Sequence, residues 1–99
     1  MIVIDTPHDY GAPINRRLGL SSHLASDLPG AEGSAELMAF ALSIGMKREW
    51  LQHPGTHREH FDVFGWRYNV AVTRGAKAIE RMAFGRILRT KRLAAKGTP

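Results

Sequence analysis

Histidine and aspartate gather in two short stretches. S-S-H-L-A-S-D carries His23 and Asp27, and H-P-G-T-H-R-E-H-F-D carries His53, His57, His60 and Asp62; with His8 these are all five histidines of the chain. Imidazole is the side chain that most readily binds metals or moves protons near neutral pH. A carboxylate beside it supplies charge, orientation or a further ligand. His60 and Asp62, two apart, point the same way on extended backbone, whereas His23 and Asp27, four apart, share a face on a helix. Two imidazoles and a carboxylate with open positions suit a catalytic zinc, iron or manganese. Asp5, His60 and Asp62 are the expected metal ligands, and Asp5, Asp9, Asp27 and Asp62 offer an all-oxygen set for magnesium. Such an ion polarises a phosphodiester and activates water. In metal-free chemistry, His23 or His60 serves as general acid or base beside Asp27, with Arg48 or Arg67 neutralising a phosphate. The bland alternative makes the same residues structural: Asp62 caps the helix after it, Asp27 bonds a turn, and His53 and His57 are solvated loop residues.

The elements that must position these groups follow from periodicity. Ile2-Val3-Ile4, closed by Asp5 and stopped by Pro7, reads as a buried strand. Residues 6–33, rich in Gly, Pro, Ser and Asn, read as loop, with a turn of helix from Ser22 to Leu28. Ser34 is an N-cap and Glu36 suits a first helical turn; Leu37, Phe40, Ala41 and Ile44 form an apolar stripe that Gly45 ends. Lys47 to Gln52 reads as a second strand with Trp50 in the core. A second helix runs from Gly65 to Arg74 with Trp66 buried, base stacking beside Arg67 and Tyr68 being its other reading. Ala76 to Glu80 is a third strand. The order strand, helix, strand, helix, strand implies an α/β fold: a small parallel sheet with flanking helices and right-handed crossovers. Ligands of such sheets gather beyond the carboxyl ends of the strands, which would bring Asp5, His8 and Asp9 together with Gln52, His53, His57, His60 and Asp62, and within reach of His23 and Asp27.

Charge divides the chain. Residues 1–81 carry nine Lys/Arg against nine Asp/Glu, while residues 82–99 carry Arg86, Arg89, Lys91, Arg92 and Lys96 and no acid, so the net charge of +5 belongs to the last eighteen residues. The expected organisation is a compact α/β domain over 1–81 and a basic C-terminal helix over 82–99 that turns Ile87, Leu88 and Leu93 inward. Its cations suit the phosphates of DNA or RNA; the ordinary reading is a solvated basic helix. Absence of cysteine excludes a disulfide framework and thiolate zinc. There is no Walker or G-x-G-x-x-G spacing for a nucleoside triphosphate. The longest apolar window, Leu37 to Met46, is about half of the roughly 20 residues that span a bilayer, so no membrane role and a cytoplasmic location are expected.

S-H-L-A-S-D, E-L-M-A-F-A-L-S-I-G-M-K-R-E-W-L-Q, H-F-D and R-G-A-K-A-I-E, in that order, resemble a small domain family of phages and bacteria known only as a domain of unknown function. The resemblance covers most of residues 1–81 and falls on Asp5, His23, Asp27, Glu36, Trp50, Gln52, His60 and Asp62. Met38 replaces a histidine of the family pattern and Phe61 a tyrosine, so neither side chain is required of a shared site here. The resemblance strengthens the site without naming its chemistry. The leading expectation is a metal-assisted phosphate-ester or nucleic-acid hydrolase using a divalent ion (Mg, Mn or Zn), with His23, His60 and Asp27 as acid/base groups. The alternatives are a non-catalytic nucleic-acid-binding accessory protein acting through the basic helix, and a protein-binding modulator.

Overall fold

The computed structural model describes residues 1–96. Four strands form one sheet: β1 (Ile2–Asp5), β2 (Ser21–Ser26), β3 (Phe61–Phe64) and β4 (Lys77–Ile79), in spatial order β3-β2-β1-β4. Four helices accompany them: α1 (Pro13–Leu18), α2 (Gly30–Ser43), α3 (Arg67–Thr73) and α4 (Arg81–Lys96). The class is α/β as expected, but the sheet is mixed. Only β1 and β4 run parallel; β2 is antiparallel to both β1 and β3.

Three segments account for the difference, and one is residues 61–64, expected only as the connection between the second strand and the second helix, which form β3. Residues 21–26, expected as loop and helical turn, form the central strand β2, although S-S-H-L-A-S contains no β-branched residue; pairing on both sides overrides its weak propensity. Residues 47–52, expected as a strand, form one 3-10 turn at Arg48–Trp50 and contribute a single bridge, Gln52 to His60. Trp50 and Trp66 were both expected inside, yet they are 44% and 68% exposed.

Alternation along the strands divides the core between the two faces of the sheet. Ile2, Ile4, Leu24, Phe61 and Val63 pack with Leu37 and Ala41 of α2, Ile44 just past its end, and Ala71 of α3. Complete burial of each such large side chain contributes about 1.5–3 kcal/mol. The α2 stripe is as predicted, but the helix begins at Gly30, not after Ser34, whose hydroxyl instead donates to Glu59 at 2.7 Å. Its first turn lies so close to the preceding chain that a Cβ on Gly33 would sit 1.9 Å from the Leu28 carbonyl oxygen.

The opposite face carries Val3 and Ala25, covered by Phe84 of α4 with Ile87 and Leu88 partly buried beside it. Phe84, Ile87, Leu88 and Lys91 fall at i, i+3, i+4 and i+7, one continuous stripe. Lys91 therefore turns inward, while Leu93, expected inward, is 53% exposed. The Lys91 ammonium donates to the Ser26 carbonyl at 2.8 Å, and burial pushes its pKa down. Lys91 is thus removed from the expected phosphate-binding set. Arg86, Arg89 and Arg92 are exposed. Lys96 ends α4, but its side chain, like residues 97–99, lies outside the described residues.

Candidate metal centre

Register across three strands assembles the site. His23 pairs directly with Asp62 between β2 and β3, and the β1–β2 register, continued one residue past Ile4–Leu24, sets Asp5 opposite His23. Directly opposed residues point to the same side of a sheet, so Asp5, His23 and Asp62 form a row on the α4 face. His60, two residues before Asp62, joins that side. Ser22, next to His23 in sequence, is on the opposite face and cannot serve it as a nucleophile.

Asp5 is 3% exposed and both of its oxygens are taken by His23. Oδ2 meets the ring Nδ1 at 2.7 Å, and Oδ1 accepts the backbone amide at 2.6 Å. The expectation that Asp5 is itself a ligand is corrected accordingly: it stands behind the imidazole, fixing the tautomer and leaving Nε2 as the outward nitrogen. The hydrogen bond to Asp5 raises the His23 pKa above the ordinary imidazole value, against the opposing effect of burial. The Asp5 and Asp62 charges add to the rise, and Arg81 at the start of α4 works against it.

His60 shows the same logic with a different partner. Its Nδ1 lies 2.6 Å from the Arg58 carbonyl oxygen, which can only accept, so Nδ1 carries the proton. Nε2 faces Asp62 Oδ1 at 3.4 Å. A bare Nε2 lone pair would repel that carboxylate; a proton or a metal ion between them makes the contact attractive. Gln52 donates its amide to the other oxygen of Asp62. The hydrogen bond with His60 holds the Asp62 carboxyl below the usual carboxylate range, with burial opposing and Gln52 assisting.

The His23 and His60 rings are 5.2 Å apart at 73°, and one ligand atom from each of His23, His60 and Asp62 can be chosen so that all lie within 4.8 Å of one another. All three are partly exposed. Tyr10 packs edge-on to His23, and His53, which adopts φ 51°, lies with its ring 5.8 Å from His60. His8 packs on Tyr10.

Not every expected residue is here. Asp27 lies at the far end of β1, where its carboxylate and that of Glu36 accept from the Met1 amino group. Its assignment as a catalytic partner of His23 rested on a helix; on strand β2 the same spacing separates the two by four extended residues. Asp9 accepts from the Gly11 amide. His57 lines a cavity of about 300 Å³ with Glu59 and Lys91. The sequence placed Gln52 at the site without a role, and its bridge to His60, which brings the amide to Asp62, leaves no local pattern; Tyr10 carried no signal at all.

No helix among the described residues is long and apolar enough to cross a membrane. No curated protein and no solved structure matches the chain. The family model for a protein of unknown function, DUF4031, does match over residues 2–91, nearly the whole sequence and most of α4 with it. The chain with its His23–His60–Asp62 cluster therefore belongs to that family.

Proposed function

We propose that the protein is a metal-assisted hydrolase of phosphate esters, with His23, His60 and Asp62 holding one divalent ion. The observation that carries this reading is the convergence of two imidazoles and a carboxylate from β2 and the start of β3, with one ligand atom of each all within 4.8 Å of one another. Support comes from behind the site: Asp5 on His23 and the Arg58 carbonyl on His60 both occupy Nδ1, aiming both Nε2 atoms outward. Two imidazole nitrogens favour zinc or manganese over magnesium, which prefers oxygen ligands and retained water. Three protein ligands leave positions for water and substrate.

When bound, the ion supplies Lewis-acid polarisation of the phosphoryl oxygen and a lowered pKa for attacking water. The chain's residues do the rest. Asp5 fixes the orientation of His23, Gln52 fixes that of Asp62, and His53 is the nearest further imidazole for proton transfer. Arg81, at the start of α4, is a positive charge close enough to act on His23.

The test is metal content and turnover together. Chelator-stripped protein should take up one zinc or manganese by calorimetry and then release nitrophenolate from bis(nitrophenyl) phosphate; His60→Ala should lose both. A stripped wild type that takes up neither ion ends this reading.

A second reading has its own observation: Arg86, Arg89 and Arg92 are exposed along one side of α4. The helix is then a phosphate-contacting surface for nucleic acid, acting with the metal centre or without it.

A further inference from the structure

A cleft of about 680 Å³ opens beside β3, walled by Trp50, Trp66, Ile14 and Leu18 and reaching Gln52 and Asp62. That volume falls within the range of small-ligand sites, about 300–1,000 Å³. Its apolar surface is left uncovered by the fold: Trp66 is 68% and Trp50 44% exposed, and Ile14 and Leu18 are exposed too. Arg67 places its guanidinium 4.8 Å from the Trp66 ring centre and 5.9 Å from that of Trp50. Flat aromatic walls and a stacked planar cation suit a flat, electron-rich ligand.

We infer that this cleft is a base-binding subsite, taking the nucleobase of a nucleoside phosphate whose phosphate lies on the metal centre. The position of the phosphate rests on the hydrolase reading given above; the base site does not. Three observations support this occupant. Asp62 and Gln52 belong to the cleft lining and to the metal centre alike, so a ligand seated between the tryptophans extends directly to His60. Glu49 adds a carboxylate acceptor to the lining of a mostly apolar slot, which suits the amino-bearing edge of a base. Arg67 makes the slot favourable for an anion, and the metal centre would add to that. A partner helix would instead need an apolar trough several turns long, and this lining is interrupted by charged Glu49, Asp62 and Arg67.

The chain has two tryptophans and both line the cleft, so selectively excited tryptophan fluorescence reports on this place. Adenosine monophosphate should quench it saturably, and ribose 5-phosphate, which lacks the base, should not. Trp66→Ala should weaken adenosine monophosphate binding by about tenfold, the scale of one lost stacking contact, while Trp66→Phe restores most of it. Zinc uptake by Trp66→Ala should equal that of wild type, confirming that the variant is folded. His60→Ala should lose zinc but keep quenching by adenosine. Equal responses to the two phosphates, or unchanged nucleotide affinity in Trp66→Ala, would overturn the base subsite. Saturable, Trp66-dependent quenching in a protein that takes up no metal would uphold the base site and remove the metal centre instead.

Discussion

Asp5 grips His23 twice, through the ring and through the backbone amide, and the behaviour of His23 with pH follows from that grip. In metal-free protein the pair favours the imidazolium, so the folded pKa is raised. The sign is therefore fixed: the stabilisation is complete below the unfolded value of about 6.5 and is lost as pH rises through the folded one. Urea denaturation of chelator-treated protein should show stability falling as pH rises above about 6.5, and Asp5→Asn should flatten the fall. An ion on His23 would compete with the proton for the ring, so under the proposed function zinc affinity should weaken as pH drops through the His23 titration. Removing an orienting partner of this kind costs about 10–100-fold in metal affinity, the loss expected in Asp5→Asn by calorimetry. At this scale the sequence was partly transparent. The two-residue step from His60 to Asp62 sets both on one side wherever the backbone is extended, although no strand was expected at that place. Nothing in it distinguished a carboxylate that binds an ion from one that stands behind an imidazole, because that depends on which strand lies alongside. Asp27 was misassigned for a related reason: its four-residue spacing from His23 means one thing on a helix and another on a strand.

Among the elements, α2 and β4 could be read from periodicity and glycine stops, and β2 could not. Its serines and alanine carry no preference for extended backbone, and only the ladders on both sides hold it there. The error at 47–52 came from length and position between a helix stop and a proline, which a 3-10 turn satisfies equally. In α4 the misleading feature was charge. Lys91 occupies the last position of the stripe begun by Phe84, where its methylene stem is buried and its ammonium reaches the Ser26 carbonyl. Lys91→Ala leaves that carbonyl without its donor and should cost about 1–3 kcal/mol in urea denaturation. The pH dependence has the opposite sign to that of His23. Burial lowers the folded pKa of Lys91 below its unfolded value, so the unfolded chain holds the proton more tightly. Wild-type stability should gain from this group as pH rises through the folded value, and the variant should lack that gain.

Over the whole molecule, charge and shape are arranged differently from what composition suggests. The division into a neutral segment and a basic one is plain in the sequence, yet α4 is not an appendage: Phe84 fills the second face of the sheet, and the family match continues to residue 91. If the exposed arginines contact phosphates, binding to a single-stranded oligonucleotide should weaken with salt, and replacing Arg86, Arg89 and Arg92 with alanine should reduce the log–log slope by about 2, from roughly 0.7 per contact. A slope untouched by the triple variant would assign any such binding to another surface. His60→Ala should leave the slope as it is.

The row of Asp5, His23 and Asp62 is made by three strands far apart in the chain, and its existence depends on their alignment. Slipping β2 by a single position against either neighbour would send the His23 ring through to the apolar side of the sheet. An ion held by this row would fasten the β2–β3 alignment directly and the β1–β2 alignment through Asp5. Cation loading would then double as a proofreading step for strand pairing, and the misaligned chain, unable to gather the ligands, would be the form that stays empty.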